Sequence, residues 1–195
     1  MKEKIKNTLK NHSYRIIDQP GFTHAAVLIP IFCKNGDNYV VLTKRTSDVR
    51  HHKGQISFPG GVQDDPGEPL AETAKRETFE EIGVLPRHIE ILGRLDQTLT
   101  ITGYLVTPFV GLIPHPYPFK LNPHEVQELI MTPLSFIMNA KNVISGPYEY
   151  EGMFVETERY EFEGHTIWGA TARIIKILRE TLGEDAESYN DCFTE

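Results

Sequence analysis

Apolar and polar positions along the chain follow two rhythms, and each predicts its own kind of element. A nearly continuous apolar run over residues 25–33 and a second stretch over 39–43 flank Asn35-Gly36-Asp37, which predicts two strands joined by a tight hairpin turn. Residues 89–92 and 105–113 read as further strands. Residues 153–162 and 165–168 flank Glu163-Gly164 and predict a second hairpin. The helical rhythm is found elsewhere. Ile5 and Leu9 stand four apart in a short charged segment. Ala71, Ala74, Thr78 and Ile82 form a stripe on a helix predicted over 69–82. Ala172, Ile174, Ile175, Leu178 and Leu182 share one side of a helix that Gly183 is placed to end. Pro69 suits a first helical turn, the acidic residues before it suit the positive end of the helix dipole, and Gly83 suits the far end. Strands around two or three helices make the class mixed α and β, α/β in the broad sense and α+β in detail.

Composition adds limits to this outline. The 195 residues are 39% hydrophobic and 24% charged, which suits a single domain over 1–195, and there is no repeat or Gly/Ser linker to divide it. The longest apolar run is about half of the roughly 18 to 20 residues a bilayer span requires, so no membrane partner is expected. The charged N-terminus lacks a secretory pattern. Cys33 and Cys192 are too few and too far apart to suggest a disulfide framework, and Cys33 reads as a buried strand residue, so the expected location is cytoplasmic. A net charge of −7 argues against binding to a nucleic-acid backbone.

That charge is unevenly spread. Residues 64–81 carry seven carboxylates against Lys75 and Arg76, and 184–195 form an acidic tail without a base; residues 44–53 hold Lys44, Arg45, Arg50 and Lys53 against Asp48. Within the first block, Glu77, Glu80 and Glu81 stand at i, i+3 and i+4, so their carboxylates share one face of the predicted helix. Like charges at this spacing repel, and no lysine four residues on relieves them. Taken alone, such a triplet is more often a solvated surface face. A set of hard oxygen ligands on a rigid helix also suits Mg²⁺ or Mn²⁺, ions that take up phosphate oxygens, polarise a phosphoryl group and activate water.

The surrounding residues favour the metal reading. Gly61, Glu68 and Arg76-Glu77-Thr78-Phe79-Glu80-Glu81-Ile82-Gly83-Val84 form a box over 61–84 that resembles the signature of the Nudix hydrolases, enzymes that cleave nucleoside diphosphates linked to another moiety. Two departures stand out. Six residues separate Gly61 from Glu68 where five are usual, and Thr78 replaces an aliphatic residue on the buried stripe; neither touches the carboxylate face. The resemblance implies an α/β/α sandwich around a mixed sheet. It makes Glu77, Glu80 and Glu81 metal ligands, with the Gly61 carbonyl beside them, and has Arg76 pair with Glu68 to orient the cluster.

A second block over 41–61 leads into the box without a gap. Its Leu42, Thr43, Arg45, His52, Gly54, Gln55 and Phe58-Pro59-Gly60-Gly61, with Thr46 in place of a serine, resemble the coenzyme A pyrophosphatase branch of that family, whose members share the longer loop. The resemblance implies hydrolysis of coenzyme A or acyl-CoA to 3′,5′-ADP and 4′-phosphopantetheine or its acylated form. ADP-ribose, a dinucleotide or an oxidised nucleoside triphosphate are alternative substrates, and a catalytically silent binding module is the rival from another class. A small nucleotide substrate is thus the expected partner, and a homodimer is left open. Coenzyme A carries a 3′-phosphate besides its pyrophosphate, so Lys44, Arg45, Arg50, His52 and Gln55 are candidate substrate-binding residues. His51 and His52 are adjacent and would diverge on a strand, which argues against a two-histidine metal site. For the base that activates water, Glu80 acting through the metals and Glu125 are the candidates, with Glu128 behind Glu125. Trp168 reads as core.

Overall fold

The computed structural model describes residues 2–46, 54–150, 152–183 and 192. In chain order the elements are α1 (Lys2–Asn11), β1 (Thr23–Lys34), β2 (Asp37–Arg45), β3 (Ile56–Ser57), β4 (Gly60–Val62), α2 (Leu70–Ile82), β5 (Glu90–Arg94), β6 (Thr98–Leu99) and β7 (Tyr104–Leu112). They continue with β8 (Val126–Pro133), α3 (Leu134–Met138), β9 (Ile144–Tyr150), β10 (Met153–Phe162), β11 (His165–Trp168) and α4 (Gly169–Leu182). The larger sheet runs β3-β2-β1-β7-β5, with β4 on β1, β6 on β7 and β8 on β2. It is mixed, because β1 and β7 run parallel while β2 and β4 join β1 antiparallel. A second, antiparallel sheet has the order β11-β10-β9.

The unbroken apolar run in β1 follows from its position at the sheet centre, where both faces are covered. Ala26, Leu28 and Phe32 pack with Ala74, Ile82 and Val84 in the layer that carries α2. Ile29 and Ile31 face the other way, toward Ile5 and Leu9 of α1 and toward Ile174, Ile175 and Leu178 of α4. Helices therefore cover both faces, as the sandwich reading expects. The Asn35-Gly36 turn uses positive φ at both residues, 54° and 95°, the backbone that a two-residue hairpin connection favours.

Several elements escaped the sequence reading. β8 and β9 lie in segments of mixed polarity, and β3, β4 and β6 are two or three residues long, too short to set up a period. The two cysteines depart from expectation more sharply. Cys33 and Cys192 form a disulfide with Cα atoms 5.3 Å apart across 159 residues of sequence, and Cys33 is only partly buried. Chain separation was a poor guide because folding brings Cys192 to the β1–β2 turn, where its sulfur also lies 3.5 Å from the Asp37 carbonyl. Among the described residues no helix is long and apolar enough to cross a membrane.

Candidate active site

The carboxylate face is built on the last turns of α2. Thr73, Ala74, Thr78 and Ile82 are buried, which aims Glu77 and Glu80 away from the core. Thr78 fits the buried stripe because its hydroxyl donates to the Ala74 carbonyl at 2.6 Å, so no polar group is left unpaired. The additional loop residue is absorbed in a turn, where the Glu68 N–H donates to the Asp65 carbonyl at 2.8 Å and the Gly67 N–H to the Asp65 side chain at 2.8 Å. Gly83 ends the helix with φ 76°, and a side chain there would run into Lys120. The segment after Tyr117 docks on this helix end: the Lys120 N–H donates to Ile82 O at 3.1 Å and the Asn122 N–H to Glu81 O at 2.9 Å. These bonds satisfy carbonyls the helix end would leave open, and they bring Glu125 next to the cluster.

Arg76 organises one side of the face. Its guanidinium donates to Glu68 Oε1 at 3.1 Å, Glu77 Oε1 at 2.7 Å, the Val62 carbonyl at 2.9 Å and, more weakly, Glu80 Oε1 at 3.4 Å. The Arg76 hydrogen bond holds the Glu68 carboxyl below its ordinary range. Next to Val62, which Arg76 contacts, β4 carries Gly61 against β1, in register with Ala26. A Cβ on Gly61 would collide with the Glu77 carboxylate, so the absence of a side chain there is what lets Glu77 pack against β4.

Glu81 is the least accessible of the three, 2% exposed. Arg45 Nη1 stands 3.7 Å from its Oε1, and the Thr43 hydroxyl reaches its Oε2 at 3.5 Å. Burial pushes its pKa up to about 8, with Arg45 opposing and Glu125 and Glu77 adding to the rise. Burial also raises Glu77. Among the described residues no three acidic, imidazole or thiol side chains converge on one point at coordination distance, because Arg76 stands between Glu77 and Glu80. The donor set still fits a hard divalent cation. It offers carboxylate oxygens on one face, a glycine backbone close to Glu77, and a buried glutamate whose nearest cation is 3.7 Å away.

This chemistry sets a pH dependence. The metal-free folded chain holds a proton on Glu81 from its ordinary value of 4.5 up to about 8, whereas the unfolded chain releases it near 4.5. The folded state then binds more protons, so Glu81 contributes a loss of stability as pH rises through that window. Thermal melts in chelator should give a Tm that falls between pH about 5 and 8, and a divalent cation should restore more of it at the upper end, where it competes with fewer protons. A chelated protein whose Tm climbs steadily over that range would contradict the assignment.

Beside the cluster lies a cavity of about 690 Å³, with Arg45, Gln55, Gly61 and Glu125 in its walls. Four of the residues predicted from sequence thus come together. Arg45 Nε is buried and has no hydrogen-bond partner among the described residues. Glu125 is held by Asn122, whose side-chain amide donates to its Oε1 at 3.1 Å, and by Thr46, whose N–H donates to its carbonyl at 3.0 Å. Lys44 and Glu128 are not among the described residues that line the cavity; they pair with each other at 2.8 Å. Arg50 and His52, with His51 and Lys53, lie outside the described residues. The core assignment of Trp168 is corrected: its ring is partly exposed, lines the cavity and packs on Tyr148 and Tyr150. Thr46 and Asn122, which hold the Glu125 loop, and Arg173, which lines the cavity, were missed. The Asn122-Pro123 turn start was the available signal for that loop.

Comparison with known proteins agrees with this geometry. Residues 22–144 match the NUDIX domain model. A Photorhabdus laumondii protein described as an uncharacterized Nudix hydrolase, NudL, is 38% identical over 157 residues, which cover 80% of this chain and 83% of that one. A Yersinia pestis protein of the same description is 38% identical over 156 residues, covering 80% and 78%. Among solved structures, a MutT/nudix family protein from Enterococcus faecalis aligns with TM-score 0.54 and 16% identity over 93% of this chain and 74% of that one. The NUDIX domain of Shewanella oneidensis NrtR, solved with ADP ribose, aligns with TM-score 0.53 and 16% identity over 91% and 97%. At such identities the structures speak for the fold, while the domain match and the relatives speak for descent: the chain belongs to the Nudix family and is a pyrophosphohydrolase.

Proposed function

We propose that this chain hydrolyses the pyrophosphate of coenzyme A or its acyl thioesters, releasing 3′,5′-ADP and 4′-phosphopantetheine or its acylated form, with Mg²⁺ or Mn²⁺ as cofactor. One observation carries the reading. The block over 41–61, on which the resemblance to coenzyme A pyrophosphatases rests, contributes Arg45, Gln55, Phe58, Gly60 and Gly61 to the walls of the cavity beside the carboxylates. A volume of about 690 Å³ is in the range of pockets for a ligand of nucleotide size or larger.

The roles follow from placement. Glu77, Glu80, Glu81 and the Gly61 carbonyl would hold the divalent ions, whose chemistry is to neutralise the diphosphate and lower the pKa of water. Arg45, whose buried Nε has no hydrogen-bond partner among the described residues, would donate to a phosphate oxygen. Arg76 keeps Glu77 and Glu68 in place. Glu125, anchored through Asn122 and Thr46 at the cavity wall, accepts the proton of the attacking water.

The alternatives are ADP-ribose, the ligand in the NrtR structure, a dinucleotide, and an oxidised nucleoside triphosphate. Comparing kcat/KM for coenzyme A, dephospho-coenzyme A, ADP-ribose and 8-oxo-dGTP in Mg²⁺ tests the reading. Coenzyme A should lead by about tenfold or more, since a well-placed phosphate contact contributes that much. Parity across the panel would sink the coenzyme A claim, and no turnover of any member would favour a binding module.

A further inference from the structure

Three large apolar side chains stand exposed at the cavity or next to it: Ile101 at 97% exposure and Val155 at 37%, which line it, and Met153 at 63%, two residues before Val155 on β10. Singly exposed apolar residues need no explanation, but a convergent group bordering a ligand site does. Ile101 comes from the turn between β6 and β7 and Val155 from β10. Both line the same cavity as Gly61 and Glu125 while remaining exposed, so they form its rim.

The strand register shows where this rim leads. Val155 pairs with Tyr148 and Met153 with Tyr150, and residues directly opposite in an antiparallel pair project from the same face. Trp168 packs on both tyrosines, with ring centroids 5.1 Å and 4.7 Å apart, and itself lines the cavity. On one face of the small sheet Trp168, Tyr148, Tyr150, Val155 and Met153 therefore form an apolar and aromatic strip, flanked on the same face by Thr157 and by Arg159, whose guanidinium lies 5.9 Å from the Tyr148 ring centroid. It begins inside the cavity at Trp168 and runs past Val155 to Met153 beside the hairpin tip. Phe154 projects from the opposite face and does not belong to it.

We infer that this strip and Ile101 hold the acyl chain of a coenzyme A thioester, so that the enzyme prefers acylated coenzyme A to the free thiol. The inference rests on the coenzyme A reading above and deepens it. The other parts of such a substrate do not suit the strip. The diphosphate is drawn to the carboxylate end by its ions, and the pantetheine arm carries amides and a hydroxyl that need polar partners, which the aliphatic side chains of Ile101, Val155 and Met153 lack. An alkyl chain needs none, and each methylene removed from water there strengthens binding about fourfold.

The test is a chain-length series: kcat/KM for free coenzyme A and for its acetyl, hexanoyl and decanoyl thioesters, in Mg²⁺, with wild type and the double variant Ile101→Ser/Val155→Ser. Wild type should gain about tenfold or more from acetyl to decanoyl, chiefly through KM, because the chain is bound equally before and during reaction. The double variant should lose most of that gain while its turnover of free coenzyme A changes by less than about threefold. A flat series in wild type overturns the inference and leaves the coenzyme A reading intact. Equal loss on free and decanoyl substrates also overturns it. So does a variant that keeps the chain-length slope but shifts from dimer to monomer in light scattering, which would make the strip a contact between copies. Hydrolysis of ADP-ribose with no turnover of any coenzyme A species would remove both readings together.

Discussion

Glu81→Gln should lower Mg²⁺-dependent kcat/KM by about a thousandfold, about 4 kcal/mol of transition-state stabilisation, because it removes the buried anion from the face that receives the ions. The same substitution should leave the metal-free protein as stable as wild type or more so near pH 8. There the native carboxylate is being forced to ionise in a site only 2% exposed, and the neutral amide avoids that charge. The fall of Tm with rising pH should flatten as well, since the group that binds the additional proton is gone. Activity assays, with melts in chelator at several pH values, check all three effects. Unchanged Mg²⁺-dependent turnover would defeat the metal-site assignment. A lost activity accompanied by a large drop in Tm would mean that Glu81 serves the fold.

The second large effect separates two neighbouring glycines. At Gly61 the atoms a Cβ would strike are the carboxyl end of Glu77, a flexible group that can swing away. Gly61→Ala should therefore fold with a Tm near that of wild type, yet lose about a hundredfold in kcat/KM and need more metal for half-maximal rate, because Glu77 is displaced from its place on the carboxylate face. At Gly60 the obstacles are the Ala26 carbonyl and Val27 Cα, backbone of the central strand that cannot yield. Gly60→Ala should destabilise by about 2 to 3 kcal/mol, visible in denaturant or thermal unfolding. Two variants with the same profile, both unstable or both merely inactive, would contradict this division between fold and site.

Much of the site was legible because its chemistry is local. Glu77, Glu80 and Glu81 lie on one helix, where spacing alone places side chains on a common face, and the buried stripe of Ala74, Thr78 and Ile82 settles which face turns outward. Gly61 and Arg76 are carried by the same short segment. The pairing of Lys44 with Glu128 shows the limit. From the sequence, Lys44 is one of several cations available to phosphate; β2 lies beside β8 in the sheet, with Lys44 opposite Glu128, and that register assigns it to an ion pair. Of the two candidate bases, Glu125 lines the cavity whereas Glu128 pairs with Lys44.

What the sequence determined by itself was a mixed α and β chain, a helix with a carboxylate face, the glycine opposite it and the membership these residues signal. Periodicity and short-range spacing encode such features, because one helix or one tight turn is enough to express them. The tertiary structure decided what depends on residues far apart in the chain. It buried Glu81 and raised its pKa, joined Cys33 to Cys192, and brought Glu125 to the end of α2 through backbone bonds from Lys120 and Asn122. It also set Ile101, Val155 and Trp168 around one cavity. Each of these is a contact between segments whose local patterns carry no record of one another, and only the packing of both sheets and their helices into one body brings them within reach.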